Sequence, residues 1–231
     1  MKIYTKADLQ TYLQDDWIMD MLVENLKESE REIRTNQWLM EMDNKRLIYS
    51  DVYGDLLKTK SDLKVLDVGG GYNSFTKVLA AHTQYTLLDF MAHGGGSFDE
   101  IAVRDGMRWI NKDWYKVPDI GSFDIIIAND IFPDVDQRME LFIERMLPHC
   151  SELRLVITYY NSPWFYTTKR VDDAEVMTFL SWDGEITGMK LKKYLTRLDA
   201  TEADIEMMRH TNKSIYRNGR QVAYTVVRGD L

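Results

Sequence analysis

Apolar residues recur at two different spacings along this chain, and the spacing changes near residue 63. Before residue 60 they fall three and four positions apart, as in residues 17–26 and 47–57, which is the period of an amphipathic helix. Beyond it come five short apolar runs, at residues 63–68, 85–90, 107–111, 123–128 and 153–160. Helical patterns lie between some of these runs, at 75–82 and 136–147. Strands that alternate with helices are typical of a parallel sheet that is buried on both faces.

The last part of the chain follows a different pattern. Residues 214–227 (SIYRNGRQVAYTVV) contain two β-type runs joined by Asn218-Gly219, a dipeptide typical of two-residue hairpin turns. Residues 161–198 are less regular and predict an insertion followed by a helix. We therefore predict an α/β fold with a Rossmann-like, doubly wound sheet of seven strands, mostly parallel with a terminal antiparallel hairpin. The expected domains are an N-terminal helical segment, 1–60, and a domain at 61–231 with an insertion at about 161–198.

Charge and cysteine content narrow the class of protein. The 29 Lys and Arg residues against 37 Asp and Glu give a net charge of -8, which disfavours nucleic acid as a partner because phosphates require a basic surface. Cys150 is the only cysteine, so an intrachain disulfide is excluded, and no Cys/His spacing predicts a metal site. The first residues lack the apolar core of a secretory signal, and no apolar run approaches a membrane span. We expect a cytoplasmic protein without a membrane span.

The strongest candidate for chemistry is a glycine-rich segment at the end of the first apolar run. Residues 65–74 read VLDVGGGYNS, and Asp67 stands two positions before Gly69. Glycine allows a sharp turn and a close approach of the backbone to a ligand. The helix that follows presents unpaired N–H groups. Because ligands of open α/β sheets bind beyond the carboxyl ends of the strands, we predict a small-molecule site beside Gly69–Gly71.

Two phosphate-binding motifs fit this segment poorly. The dinucleotide motif G-x-G-x-x-G requires a third glycine where Ser74 stands, and no Gly-Lys-Ser/Thr of a P-loop follows. An acid at Asp67 opposes a pyrophosphate and favours a cationic ligand. A nicotinamide-dependent oxidoreductase is therefore the less favoured enzymatic alternative.

The segment resembles the first motif of the class I S-adenosylmethionine-dependent methyltransferases, hydrophobic-Asp-hydrophobic-Gly-x-Gly-x-Gly. The matching positions are Leu66, Asp67, Val68, Gly69 and Gly71. The resemblance covers roughly residues 63–160 and the terminal hairpin. It implies S-adenosylmethionine as the cofactor and S-adenosylhomocysteine as its product. Asn73 takes the place of the third glycine, and since asparagine tolerates left-handed backbone angles, we expect the turn to be kept there.

The resemblance also implies cofactor contacts after the following strands. In the family an acid after the second strand of this region bonds both ribose hydroxyls, and Asp89 holds that position. A carboxylate can accept both of these hydrogen bonds. Asp113 and Trp114 resemble the pair that takes the adenine amino group and covers the ring. Asn129 and Asp130 follow the next strand, where the family places the boundary between cofactor and substrate. The predicted cofactor-binding residues are Asp67, Gly69, Gly70, Gly71, Asp89, Asp113, Trp114 and Asn129.

The predicted function is methyl transfer from S-adenosylmethionine to a small-molecule acceptor. The acidic charge and the aromatic insertion favour a neutral or cationic acceptor, such as a saccharide or nucleotide-sugar hydroxyl or an amine. Holding the acceptor in line with the methyl–sulfur bond of the cofactor supplies most of the catalysis. A general base is needed only if the acceptor atom carries a proton of high pKa. Asp130 and Tyr159 are the candidates for acceptor contact or base. The N-terminal helices are predicted to form a lid or a homodimer contact. The alternative is a non-catalytic methyltransferase-like binding module that acts through a protein partner.

Overall fold

A computed structural model describes residues 1–90, 98–169, 176–210, 214–216 and 218–231. The N-terminal part contains β1 (Lys2–Ile3), α1 (Lys6–Tyr12), α2 (Trp17–Asn25), α3 (Arg34–Glu41) and α4 (Asp43–Lys58). The next part contains β2 (Lys64–Val68), α5 (Ser74–His82), β3 (Gln84–Leu88), α6 (Phe98–Asp105), β4 (Arg108–Ile110), β5 (Phe123–Phe132), α7 (Met139–Met146) and β6 (Cys150–Tyr159). The last part contains β7 (Trp164–Lys169), β8 (Val176–Ser181), α8 (Gly184–Lys192), α9 (Glu202–His210) and β9 (Gln221–Arg228).

These elements confirm the predicted alternation of strands and helices between residues 63 and 160. Among the described residues, seven strands form one sheet in the order β1-β9-β6-β5-β2-β3-β4, and β7 and β8 form a separate antiparallel pair. β2 is parallel to β3, and β3 is parallel to β4. β9 is antiparallel to β6 and to β1. The fold is therefore the predicted Rossmann-like α/β class, with a seven-stranded mixed sheet that ends in antiparallel strands.

The antiparallel strands at one end of the sheet pair with other strands than the hairpin pattern of the sequence indicated. β9 pairs with β6 over eight residue pairs, with Leu155 opposite Thr225 at the centre. The described residues just before Asn218, at 214–216, form no strand, and residues 211–213 and 217 lie outside the described residues. The seventh strand is β1, which is only two residues long. A strand this short cannot show an alternation of apolar and polar positions, so the pattern could not indicate it.

The chain divides into two compact units, and the division falls within β5. One unit comprises residues 7–127 and the other comprises residues 1–6 with 128–231. Residues 7–127 contain the glycine-rich segment, and their core is built from buried side chains of α4, β2, α5 and β3. Residues 128–231 have a core built from β6, β9 and α7. The expected boundary near residue 60 stays a prediction. Among the described helices, none is both long and apolar enough to cross a bilayer.

Candidate functional site

The glycine-rich segment forms the turn between β2 and α5, and it lies directly beside Asp89. Gly69 and Gly71 have φ angles of 69° and 64°, a region of backbone conformation that favours glycine. The Gly69 N–H donates to the carbonyl of Leu88 at 2.9 Å, and the Gly71 N–H donates to Oδ2 of Asp89 at 2.9 Å. These two hydrogen bonds hold the loop against the end of β3. The loop and Asp89, the predicted ribose-binding acid, therefore lie side by side.

Asp89 is positioned by its backbone as well as by its side chain. Its N–H donates to the carbonyl of Ile110 at 3.2 Å, and its own carbonyl accepts from Nε1 of Trp109 at 2.7 Å. The residue is half-buried. A fixed, partly accessible carboxylate next to a backbone turn is suited to accepting hydrogen bonds from a small polar ligand.

Asp67 lies beneath the loop and is 2% exposed. Its Oδ2 accepts a hydrogen bond from the hydroxyl of Tyr85 at 2.8 Å. A Cβ atom built on Gly70 would lie 2.4 Å from the same oxygen, so position 70 requires glycine. Burial raises the pKa of Asp67 to about 7, the Tyr85 hydrogen bond opposes the rise, and the charge of Asp89 adds to it. Asp67 supports the loop from inside, and its predicted role in cofactor binding remains a prediction.

The raised pKa of Asp67 predicts that the protein loses stability as pH rises toward 7. The unfolded carboxyl has a pKa of about 3.9, so the folded state holds the proton more tightly. The stabilisation from that proton is complete below about pH 3.9 and is lost as pH rises through about 7, the pKa in the folded state. We expect the free energy of unfolding of the wild type to fall, relative to Asp67→Asn, by up to about 1.4 kcal/mol per pH unit.

Urea denaturation of both proteins between pH 5 and 8 measures this difference. The matched control is Asp62→Asn, which changes a less buried acid in the segment that precedes β2. The free energy of unfolding of Asp62→Asn should differ from that of the wild type by a nearly constant amount over the same pH range. A constant difference for Asp67→Asn would show that the carboxyl titrates normally.

Asn73 caps α5 and does not take the left-handed conformation expected at the place of the third glycine. Its φ angle is -150°, which is extended backbone. Its Oδ1 accepts from the N–H of Phe75 at 2.9 Å, and its Nδ2 donates to the hydroxyl of Tyr49 at 3.0 Å. The turn is kept, but it needs no left-handed angle at Asn73, because an N-cap residue has extended backbone so that its side chain can reach the first free N–H groups. Asparagine serves this position as a cap.

Among the described residues, the N–H groups of Ser74, Phe75 and Thr76 at the start of α5 are already bonded within the protein. The Ser74 N–H donates to Oδ1 of Asn36 at 2.8 Å, and the Thr76 N–H donates to the carbonyl of Asn73 at 3.0 Å. The Asn73 N–H donates in turn to Oγ1 of Thr76 at 3.0 Å. Pyrophosphates bind to α/β folds through such helix N-termini. The geometry therefore argues against the dinucleotide alternative, in agreement with the buried acid beneath the loop.

Residues of the N-terminal helices cover the glycine-rich segment. The Thr35 hydroxyl donates to the carbonyl of Tyr72, and a Cβ atom on Gly71 would lie 2.7 Å from Cγ2 of Thr35. Asn36 is fully buried against Ser74, as described above. Glu30 is buried and pairs with Lys77 of α5 at 3.3 Å. Sequence reasoning did not indicate these contacts, since each residue lies about 40 positions from its partner and no local pattern links them.

The predicted adenine pair occupies a short helical turn after β4. Asp113 is buried, and its Oδ1 accepts from the N–H of Tyr115 at 2.8 Å. Trp114 is 5% exposed, whereas Tyr115 is 50% exposed. Their rings are perpendicular, with centroids 5.7 Å apart. The exposed aromatic surface of this turn is thus the tyrosine ring, and the predicted contacts of Asp113 and Trp114 stay predictions.

The residues predicted for the acceptor side belong to the other unit. Asn129 is half-buried in β5, and Asp130 follows it with a φ angle of 64°, a strained conformation for a side chain with a Cβ atom. Oδ1 of Asp130 accepts from the hydroxyl of Thr158 at 2.6 Å and pairs with Arg220 at 2.5 Å. Tyr159 is fully buried, and burial raises the pKa of its hydroxyl. A hydroxyl held protonated in the core does not favour Tyr159 as a base.

Comparison with known proteins identifies the fold through solved structures alone. The 1,6-didemethyltoxoflavin-N1-methyltransferase of Burkholderia thailandensis, solved with 1,6-didemethyltoxoflavin and S-adenosylhomocysteine, is 12% identical, and the match covers 100% of this chain and 93% of that one with a TM-score of 0.53. The N-terminal domain of EvdMO1 with S-adenosylhomocysteine is 12% identical to this chain. The match covers 81% of this chain and 80% of that one, with a TM-score of 0.52. A third match is the O-methyltransferase of a trans-AT PKS multienzyme from Brevibacillus brevis, also solved with S-adenosylhomocysteine. It is 12% identical, and the match covers 88% of this chain and 80% of that one with a TM-score of 0.50.

No protein-family model matches the chain, and no curated protein matches it in sequence. At 12% identity the solved structures show the fold alone, which this chain shares with these methyltransferases.

Proposed function

We propose that this chain is an S-adenosylmethionine-dependent methyltransferase acting on a small molecule. The observation that carries the proposal is the 2.9 Å hydrogen bond from the Gly71 N–H to Asp89. It supports the proposal because it holds Asp89, the proposed acceptor for ribose hydroxyls, against a glycine turn. The N–H groups of Ser74, Phe75 and Thr76 at the following helix start are bonded within the protein. This combination suits a nucleoside without phosphates better than a dinucleotide.

The residues of this site fit S-adenosylmethionine in their shape and charge. Positions 70 and 71 have no room for a Cβ atom, because Asp67 and Thr35 occupy that space, so the loop keeps its tight turn only with glycine. Asp89 is assigned to the ribose hydroxyls, and Asp67 is assigned to the cofactor site as the acid that supports the loop from beneath. Asp113 and Trp114 are assigned to the adenine, and Asn129 to the cofactor, from the resemblance alone. When bound, the cofactor supplies an electrophilic methyl group.

The chain's own contribution to the reaction is binding and orientation. Holding the acceptor in line with the methyl group removes most of the entropic barrier, and no strongly basic residue is required when the acceptor atom carries a free lone pair. The two similar enzymes from Burkholderia thailandensis and Brevibacillus brevis are named for transfer to a nitrogen and to an oxygen, respectively. A small-molecule acceptor is therefore compatible with this fold.

We also propose that the N-terminal helical segment, 1–60, is a lid over the cofactor, followed by a methyltransferase domain at 61–231 with an insertion at about 161–198. The contacts of Thr35 and Asn36 with the glycine-rich segment support this role. A ligand at the loop would lie beneath α3. A homodimer contact by the same helices stays a prediction.

A thermal-denaturation panel tests the proposed function. The purified chain is heated with S-adenosylmethionine, S-adenosylhomocysteine, NAD or ATP, each at several concentrations. Ligand at 100 times its Kd stabilises the folded state by about 2.7 kcal/mol, which is a readily measured rise in Tm. We expect the rise with the first two compounds only.

Two other results would contradict the proposal. A rise with NAD or ATP alone would assign the site to a phosphate-bearing ligand. If none of the four compounds stabilises the chain, the non-catalytic binding module becomes the better description, and a partner protein is then the object of the search.

A further inference from the structure

Glu30 lies in the short helical turn Glu28–Glu30, between α2 and α3, and its side chain is buried. Its Oε1 accepts a hydrogen bond from Nη2 of Arg104 at 3.1 Å, and its Oε2 lies 3.3 Å from Nζ of Lys77. Its backbone carbonyl accepts from Nδ2 of Asn36 at 2.9 Å. A buried ion pair is weak evidence for stability, because removing both charges from water offsets their attraction. The position of Glu30 in the fold therefore calls for another explanation.

The hydroxyl of Tyr72 connects Glu30 with the glycine-rich segment. Tyr72 directly follows Gly71 and is 2% exposed. Its hydroxyl lies 2.7 Å from Oδ2 of Asp105 and 3.3 Å from Oε1 of Glu30, and it accepts from Nη2 of Arg104 at 2.9 Å. The nearer carboxylate, that of Asp105, receives the single hydroxyl proton. Glu30 is thus linked to Tyr72 mainly through the guanidinium that both of them contact.

The two segments that these contacts join are the segments that hold Asp89. On one side the Gly71 N–H donates to the Asp89 carboxylate, and Tyr72 is the next residue. On the other side Asp105 ends α6, and β4, which begins at Arg108, holds the backbone of Asp89 through the two hydrogen bonds described above. A displacement of the shared guanidinium would therefore disturb the carboxylate from both sides.

We propose that Glu30 is a positioning residue of the cofactor site. By holding the guanidinium of Arg104 against Tyr72, it keeps the glycine-rich turn and Asp89 in the arrangement that binds the cofactor. The inference rests on the proposed function and deepens it, since it makes cofactor binding and the docking of residues 28–36 depend on each other. Because such coupling is reciprocal, a cofactor that binds the held turn also stabilises the segment that holds it.

Residues 28–36 hold the glycine-rich segment through its backbone as well. The Thr35 hydroxyl donates to the Tyr72 carbonyl, so both the backbone and the side chain of Tyr72 are bonded to this stretch. Asn36 accepts from the first N–H of α5 with its side-chain oxygen and donates to the Glu30 carbonyl with its amide group. These contacts give the coupling a direct route, because residues 28–36 cannot move away without releasing the turn.

Isothermal titration with S-adenosylhomocysteine tests this inference. Glu30→Gln keeps the size of the side chain and removes the charge that holds Arg104, so we expect the Kd to rise roughly ten-fold. The matched control is Glu28→Gln in the same helical turn. The carboxylate of Glu28 is exposed and pairs with Arg31 at 2.8 Å, so its loss should leave the Kd unchanged. All titrations are performed well below the lowest Tm of the variants, so that a loss of stability does not enter the Kd.

Tyr72→Phe supplies a second variant, which keeps the buried ring and removes only the hydroxyl. It should also weaken binding by roughly ten-fold. If Glu30 acts through Tyr72, the two effects are not independent, and the double variant should weaken binding by clearly less than the product of roughly 100-fold. A loss equal to that product would show that the two residues act separately, which contradicts the proposed route.

Hydrogen exchange measures the coupling with and without the ligand. In the ligand-free chain, Glu30→Gln should speed exchange of the amides at residues 69–72 by roughly ten-fold, and Glu28→Gln should not. Saturating S-adenosylhomocysteine should slow exchange at residues 28–36 by roughly ten-fold in the wild type, and by much less in Glu30→Gln. A residue that only stabilises the fold would not make the effect of the ligand on residues 28–36 depend on its charge.

Three results would overturn the inference. The first is an unchanged Kd for Glu30→Gln together with a lowered Tm, which would make Glu30 purely structural. The second is equal exchange at residues 69–72 in Glu30→Gln and the wild type, and the third is a Glu28→Gln variant that behaves like Glu30→Gln. If exchange at residues 69–72 responds to Glu30→Gln while S-adenosylhomocysteine fails to bind the wild type, Glu30 does position the turn and the proposed function is wrong.

Discussion

Replacing Asp89 with alanine is expected to weaken binding of S-adenosylhomocysteine by roughly 100-fold. The carboxylate is proposed to accept two ribose O–H groups, and hydrogen bonds to a charged group contribute about 1.5–3 kcal/mol each. Their combined loss of about 3 kcal/mol corresponds to this factor. The same substitution removes the partner of the Gly71 N–H, so the loop also loses its 2.9 Å tie to the end of β3. Isothermal titration of wild type and variant gives the two Kd values.

Two further variants show whether the effect belongs to the carboxylate. Asp89→Asn keeps one oxygen acceptor and should weaken binding by roughly ten-fold. Asp20→Ala changes an exposed acid on α2 and should have no effect. A Kd for Asp89→Ala within a factor of three of the wild type would remove Asp89 from the site, and with it the observation on which the proposed function depends.

The strands of residues 63–160 could be predicted because each falls in a short, mostly apolar run of the sequence between breaks in the pattern. β2, β3, β4, β5 and β6 lie where these runs fall. β7 and β8 could not be assigned in this way. They form a two-stranded sheet of their own, and described residues such as Trp164 and Phe165 are exposed, so their pattern does not show one buried face. β1 is too short to carry a pattern at all.

Only those parts of the candidate site could be predicted whose residues belong to one segment or to consecutive strands. Asp67, Gly69 and Gly71 lie in one segment and Asp89 closes the next strand, so the resemblance to the family's motifs indicated that they belong together. Asn36 bonds to Ser74 across 38 positions, and Arg220 pairs with Asp130 across 90. No spacing rule links such residues, since their contact depends on how the helices and strands pack.

The burial of each site residue also determines how it can act. A pattern of apolar and polar positions indicates which segments are buried, but not how exposed a particular side chain is. Asp67 and Asp89 are both strand-associated acids, yet one is 2% exposed beneath the loop and the other is half-buried beside it. Trp114 was expected to offer an aromatic face, but the exposed ring of its turn is that of Tyr115. In both comparisons two residues of similar chemistry differ in exposure, and only the packing distinguishes them.

Gly70→Ala is expected to destabilise the protein by about 3 kcal/mol and to disrupt the cofactor loop. The new Cβ atom would lie 2.4–2.6 Å from all three atoms of the Asp67 carboxyl group. That group cannot retreat easily, because it is buried and bonded to Tyr85 at 2.8 Å. Overpacking of a rigid interior costs 1–3 kcal/mol and occasionally more. Urea denaturation measures the loss of stability, and titration with S-adenosylhomocysteine measures the loss of binding.

A double-mutant cycle isolates the clash as the cause. Asp67→Ala removes the three contacting atoms, so Gly70→Ala should cost less than about 1 kcal/mol in that background. Gly71→Ala is the matched control. Its φ angle is 64° and its Cβ atom would meet Thr35, so its cost should be the same with or without Asp67. If Gly70→Ala costs as much in the Asp67→Ala background as in the wild type, the carboxylate does not support the loop. The requirement for glycine at position 70 would then have another source, and the assignment of Asp67 to the base of the cofactor site would fail.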